Sequence, residues 1–203
     1  MPTQSELFDA LKKLKQDIRS CNVCSLHQRG SYPVPGTGSP HARLLIVGIA
    51  PTVGAENKRM PFVNSPGCKL DCWLEYVGLA RNQVYITNAI KCVPRSKAGV
   101  PIFPADLIDD SWGHACLQWF GKELQIINPE VILLLGAQPV QWIRSFGSVL
   151  EFQNNAQGKS HKGRYWFALH HPSSSTRLGE WIRNKRTQQT ADEVRRLVVP
   201  WAE

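Results

Sequence analysis

Cys21 and Cys24 are two residues apart, and Cys92 and Cys116 lie far downstream, so a fold that uses all four must return twice to the end of its first segment. A CxxC pair offers two thiolates from one tight turn, and two distant cysteines complete a four-sulfur site suited to zinc or to an iron–sulfur cluster. A bound metal is therefore expected. Cys68 and Cys72 stand one helical turn apart and are expected as buried free thiols, not ligands.

With 203 residues, 42% of them hydrophobic, the chain can bury one sizeable core, and residues 1–203 are expected to form a single domain. Six cysteines are too few for a disulfide scaffold of this length, and the first residues, MPTQSELFDALKK, lack a basic and then apolar leader. A reducing cytoplasm is the expected setting. The aliphatic run Val131 to Leu135 is far shorter than the roughly 20 residues a membrane-spanning helix needs, so no membrane partner is expected. A net charge of +8 favours a polyanionic partner, with nucleic acid first. Nothing suggests an obligate protein partner, and a monomer is expected.

Leu7, Leu11, Leu14 and Ile18 recur at helical spacing and predict a helix from about residue 5 to residue 20, ending at Cys21. Buried strands are predicted at 43–48, 84–87, 131–135 and 165–169. Helices are predicted around Leu70 to Val77, from about Asp106 through Leu124, over 138–146, and over 190–199, with Gly- and Pro-punctuated loops through 30–42, 49–67 and 92–104. Trp119 and Trp142 read as core. Strands alternating with helices predict an α/β fold in which a central, mostly parallel four-stranded sheet is flanked by helices. Its site lies at the carboxyl ends of the strands. The residues there are Gly48-Ile49-Ala50-Pro51, Asn88, Gly136-Ala137-Gln138 and His170-His171-Pro172-Ser173.

In this order, GIAP, then PFV at Pro61 to Val63, then ITNAIKC at Ile86 to Cys92, then HPS at His171 to Ser173, the chain resembles the iron–sulfur uracil-DNA glycosylases from Cys21 to about Arg177. The resemblance implies a uracil-DNA glycosylase-like fold, a [4Fe-4S] cluster on Cys21, Cys24, Cys92 and Cys116 in preference to zinc, and action on DNA. It also implies that Phe62 stacks on an extruded base and that Asn88 and His171 contact it. Ile49 and Ala50 of the first motif join the expected base-binding set. The chemistry agrees, because cutting an N-glycosidic bond in DNA needs an aromatic face, polar groups that read a base edge, and a donor for the charge on the departing base. Asn88 supplies an acceptor and donors; His171 is the expected donor.

The first motif departs from family four, with Ile49 where that family has Glu and Thr52 where it has Gly, and it looks closer to family five. Asn88 is the family-four trait. Glu56 is then the nearest acid and the candidate water activator, which completes an expected catalytic set of Asn88, His171 and Glu56. The apolar wedge of family four is replaced by Ser173-Ser174-Ser175-Thr176, with Arg177 retained. Lys58, Arg59, Lys91, Arg95, Lys97, Ser173 and Arg177 are expected along the DNA path, and His170 as a structural histidine. The expected activity is that of a monofunctional glycosylase that removes uracil and leaves an abasic site. Alternatives are a glycosylase for another deaminated or modified base, a non-catalytic metal-stabilised nucleic-acid-binding module, and a nucleoside hydrolase.

Overall fold

The computed structural model describes residues 3–102, 110–145, 159–161, 163–174 and 178–199. Three strands are wholly buried: β2 (Leu44–Gly48), β3 (Tyr85–Asn88) and β4 (Val131–Leu135). With β6 (Arg164–Leu169) they make the four parallel strands expected, in the order β3-β2-β4-β6. The sheet is wider than four, however. Two short strands, β1 (Thr37–Gly38) on β3 and β5 (Lys159–His161) on β6, add antiparallel edges and bring it to six. Strands of two and three residues carry no alternation to detect, so only pairing reveals them.

Continuous apolar runs suit strands covered on both faces, and alternate residues of β2 indeed enter different cores. Leu44 and Ile46 pack with Leu70, Trp73, Leu74 and Val77 of α4 (Ser65–Val77) and with Trp181, Ala191, Val194 and Val198. The last four come from α7 (Leu178–Arg183) and α8 (Lys185–Val198). On the other face, Leu45 and Val47 meet Leu11 of α1 (Gln4–Arg19), Phe120 and Ile127 of α5 (Asp110–Ile127), and Val140 and Trp142 of α6 (Ala137–Ser145). Trp119 and Trp142 are core, as expected.

The first helix is set by a capping box in which Thr3 and Glu6 satisfy each other's backbone donors. The four-residue α2 (Ser25–Gln28) follows the CxxC turn. Residues 49–67 are not all loop. Thr52 caps a six-residue helix, α3 (Val53–Lys58), by accepting from the Ala55 N–H; Gly54 and the polar tail hide that helix from a periodicity reading. Likewise α8 starts at Lys185, because the Asn184 side chain caps its first turn ahead of the polar stretch. The start of α5 near Asp106 lies outside the described residues, as does Arg177.

Candidate active site

The parallel register sets Gly48 at the end of β2 directly beside Asn88 at the end of β3. A Cβ on Gly48 would stand 2.5 Å from Asn88 Oδ1 and 2.7 Å from Phe62 Cζ, so only glycine lets both side chains lie over the strand end. Phe62 reaches this position with φ 54°, a left-handed conformation rare outside glycine. Arg81 holds it there, with Nη2 donating to the carbonyls of Pro61 (2.6 Å) and Phe62 (2.8 Å) while Nη1 pairs with Asp71 (2.6 Å). The ring centroids of Phe62 and His171 are 5.8 Å apart at 32°. Together with Asn88, Ala50, Pro51 and Asn64 these two line a cavity of about 90 Å³. A larger hollow of about 240 Å³ lies past β4 and β6, lined by Gly136, Ala137, His170 and Arg186, but the aromatic and amide groups converge on the smaller one.

His171 has a defined tautomer. The Ser173 backbone N–H lies 3.2 Å from Nδ1, and because an N–H can only donate, Nδ1 is the acceptor and the ring proton sits on Nε2. The Ser173 hydroxyl, 2.7 Å from the same nitrogen, donates to it as well. Burial, and then the nearby Lys69 charge, push the imidazole down to about 4 from its ordinary 6.5. At neutral pH the ring is uncharged. Ser173, expected against DNA, is exposed and orients this histidine. His170, expected as a structural histidine, is exposed.

Asn88 is 2% exposed, and among the described residues no side-chain or backbone group hydrogen-bonds its amide. Its main chain is clamped instead. Lys91 Nζ donates to the Asn88 carbonyl (2.6 Å), to Thr87 Oγ1 (2.8 Å) and to Glu123 Oε2 (2.7 Å), and Glu123 also accepts from Thr87 and from Tyr85 Oη (3.2 Å). Lys91 therefore does not lie on the DNA path: it is 1% exposed, because three acceptors, two on β3 and one on α5, satisfy it better than water-exposed phosphate contacts would. Burial, and then Glu123, raise Tyr85 well above its usual range.

Three more expectations are corrected. Glu56 is neither a loop acid nor a water activator: from α3, buried, it accepts from the Tyr32 N–H (2.7 Å) and from Arg95 Nη2 (2.5 Å), and it does not line the cavity. Arg95 is turned inward by that pair and by bonds to Ser31 Oγ and the Gly99 carbonyl, so it offers no free fork to a phosphate. Ile49 packs on the α1/α5/α6 core and is not among the groups lining the base cavity, whereas Ala50 is. Lys58, Arg59 and Lys97 are exposed, at the end of α3 and in the turn spanned by the Arg95–Pro101 bridge. Lys69 and Arg81 were not anticipated. A lysine at helical spacing with Pro66 and Trp73, on the buried face of α4, was the available signal for Lys69.

Residues 35–195 match the profile of the Uracil DNA glycosylase superfamily. The chain belongs to that superfamily. It is 32% identical over 176 residues to the Type-4 uracil-DNA glycosylase of Sulfurisphaera tokodaii, covering 83% of this chain and 76% of that protein. Identity is 31% with the Type-4 enzyme of Archaeoglobus fulgidus (82% and 83% covered) and 30% with the Type-5 uracil-DNA glycosylase of Thermus thermophilus (74% of each). Similarity to both types accords with the mixed first motif.

In this superfamily member Cys21 follows α1, Cys24 precedes α2, Cys92 follows β3 and Cys116 lies on α5. Cys92 and Cys116 are buried with Leu26, Ile90 and Trp112, with Cys24 packed against them, and Cys21 packs on Ile18 and Trp119. Burial, followed by the neighbouring cysteines, drives the Cys92 thiol well up; burial pushes Cys116 up to about 11 and raises Cys24. Thiols this deep ionise only if a cation compensates them, which is what a metal cluster supplies. Trp119 Nε1–H donates to Cys21 Sγ (3.3 Å) and the Lys91 N–H to Cys116 Sγ (3.5 Å), the kind of N–H···S contact that tunes sulfur ligands. The donor set fits a four-cysteine cluster. Among the described residues no three His, Cys, Asp or Glu groups are spaced around a single ion. Cys68 and Cys72, expected buried, are exposed and half-buried.

Proposed function

We infer that this chain is a uracil-DNA glycosylase that hydrolyses the N-glycosidic bond of uracil in DNA and leaves an abasic site. The observation that carries the reading is the convergence of Phe62, Asn88 and a tautomer-locked His171 on one cavity. Phe62 stacks on the extruded base, a contribution of about 1–3 kcal/mol. Asn88 presents both acceptor and donor to the imide edge of uracil. As the bond to the sugar breaks, negative charge collects on the base, and the His171 Nε2–H donates to its carbonyl oxygen. Water then attacks the oxocarbenium-like sugar. Among the described residues no carboxylate lines the cavity, so stabilisation of the leaving base carries most of the rate.

Cys21, Cys24, Cys92 and Cys116 would hold a [4Fe-4S] cluster, with zinc the less fitting occupant. Held there, such a cluster would tie α1 to the segment after β3 and to α5 and would serve structure, with the hydrolysis left to the residues of the cavity. The reading also includes DNA as the partner, with Lys58, Arg59, Lys97 and Arg177 meeting its phosphates, action as a monomer, a single domain, and a cytoplasmic setting. None of the described helices is long and apolar enough to cross a membrane. The test is alkali-sensitive strand cleavage of oligonucleotides carrying uracil, hypoxanthine, xanthine or modified cytosine. Uracil release supports the reading; release of another base alone, or binding without release, overturns it.

A further inference from the structure

Lys69 is a lysine only 4% exposed, on the apolar face of α4 that also carries Leu70 and Trp73. Burying an ammonium opposes folding unless the charge is used, and an apolar residue of the same length would fill the space without that penalty. Its Nζ donates to the Pro172 carbonyl at 3.0 Å. Pro172 follows His171 and opens the 3-10 turn Pro172–Ser174, which packs on α4 and sends the Ser173 N–H back to His171 Nδ1. One turn earlier on the same helix, Pro66 lines the base cavity. The ammonium thus stands behind the cavity wall, tied to the turn that aims the histidine.

We propose that Lys69 is a positioning residue for His171: it fixes the Pro172 carbonyl, and so the turn that orients the imidazole, and its charge adds positive potential where the base becomes anionic. The proposal rests on the reading of His171 as the leaving-group donor. After burial, Lys69 is the charge that depresses His171. The elements packed around the pair carry other titratable groups, namely Glu180 and Arg183 on α7, Lys185 and Arg186 at the start of α8, and His170 beside the ring, but Lys69 is the one that bears on its proton. The sign is fixed. A cation disfavours a second cation, so removing it raises the His171 pKa and makes the ring charge at a higher pH.

The test is single-turnover uracil release from a single-stranded oligonucleotide between pH 4 and 8, with Lys69→Gln, Lys69→Met and Lys69→Arg beside the unaltered protein and His171→Ala. The two neutral variants are expected to lose tenfold or more in maximal rate with DNA affinity within about twofold. Their acid limb should move to higher pH, while Lys69→Arg keeps the original limb. In a His171→Ala background the Lys69 substitutions should cost almost nothing further, because they act through the missing ring. An acid limb unmoved in a folded neutral variant, or losses that multiply with His171→Ala, would overturn the proposal. Should no neutral variant fold, the titration of His171 in the unaltered protein decides, since a midpoint near the ordinary 6.5 overturns it and one near 4 supports it. If His171→Ala itself retains full activity, the donor reading fails and Lys69 is not at issue.

Discussion

At the scale of residues, chemistry in the cavity depends on groups held by main-chain constraints. Asn88→Ala and His171→Ala should each lower uracil release by about two orders of magnitude or more with unfolding curves unchanged, as expected when a preorganised donor is lost. Wild-type rates in both would remove the assignment. Because His171 is depressed to about 4, the acid limb of kcat/KM should fall near pH 4 and not near 6.5. The same depression ties stability to pH. Between about 6.5 and about 4 the unfolded chain takes up a proton that the folded chain refuses, so stability declines as pH falls through that window, which denaturation at stepped pH will register. The residues that form this cavity were legible as a motif string, but the Nε2–H tautomer was not, because it is decided by a backbone N–H two residues on.

At the scale of elements, the end of β3 is pinned by a buried ion pair that local sequence does not reveal. Lys91 lies near the strand end and looked like a phosphate contact, but Glu123 of α5, thirty-two residues on, draws it inward. Removing one partner of a buried pair leaves an uncompensated charge, so Glu123→Gln should cost about 3–5 kcal/mol in urea unfolding. It should also loosen Asn88 and reduce the rate. The α3–loop clamp of Glu56, Arg95 and the Tyr32 N–H follows the same logic, and it removed an acid expected at the cavity. Elements with strong periodicity or long apolar runs were predicted, although α4 and α8 begin more than a turn before their expected starts. Short ones, α3, α7, β1 and β5, were not, since they are held by caps and edge pairing.

At the scale of the whole molecule, two tests separate surface from core. Exposed Lys58 and Lys97 are expected to meet phosphate, so their alanine variants should each reduce the salt dependence of DNA binding by about one unit of log–log slope. Lys91→Met should leave that slope unchanged, the reverse of what its sequence position suggests. A cluster on the four cysteines would bind the helix before the sheet to the helix after β3, so Cys92→Ser should abolish visible absorption and bound iron of about four per chain and lower the melting temperature. A colourless protein carrying one zinc would rule out the cluster.

Sequence by itself determined the four parallel strands and the order of motifs at the strand ends, because apolar runs and short polar signatures are local and survive in any context. Tertiary structure alone decided which charges face water. Lys91, Glu56 and Arg95 look like surface groups when read along the chain, and each is buried or inward-turned because a partner from another element offers it bonds that solvent does not. Ionic partnership depends on distances through space, and no spacing along the chain encodes it.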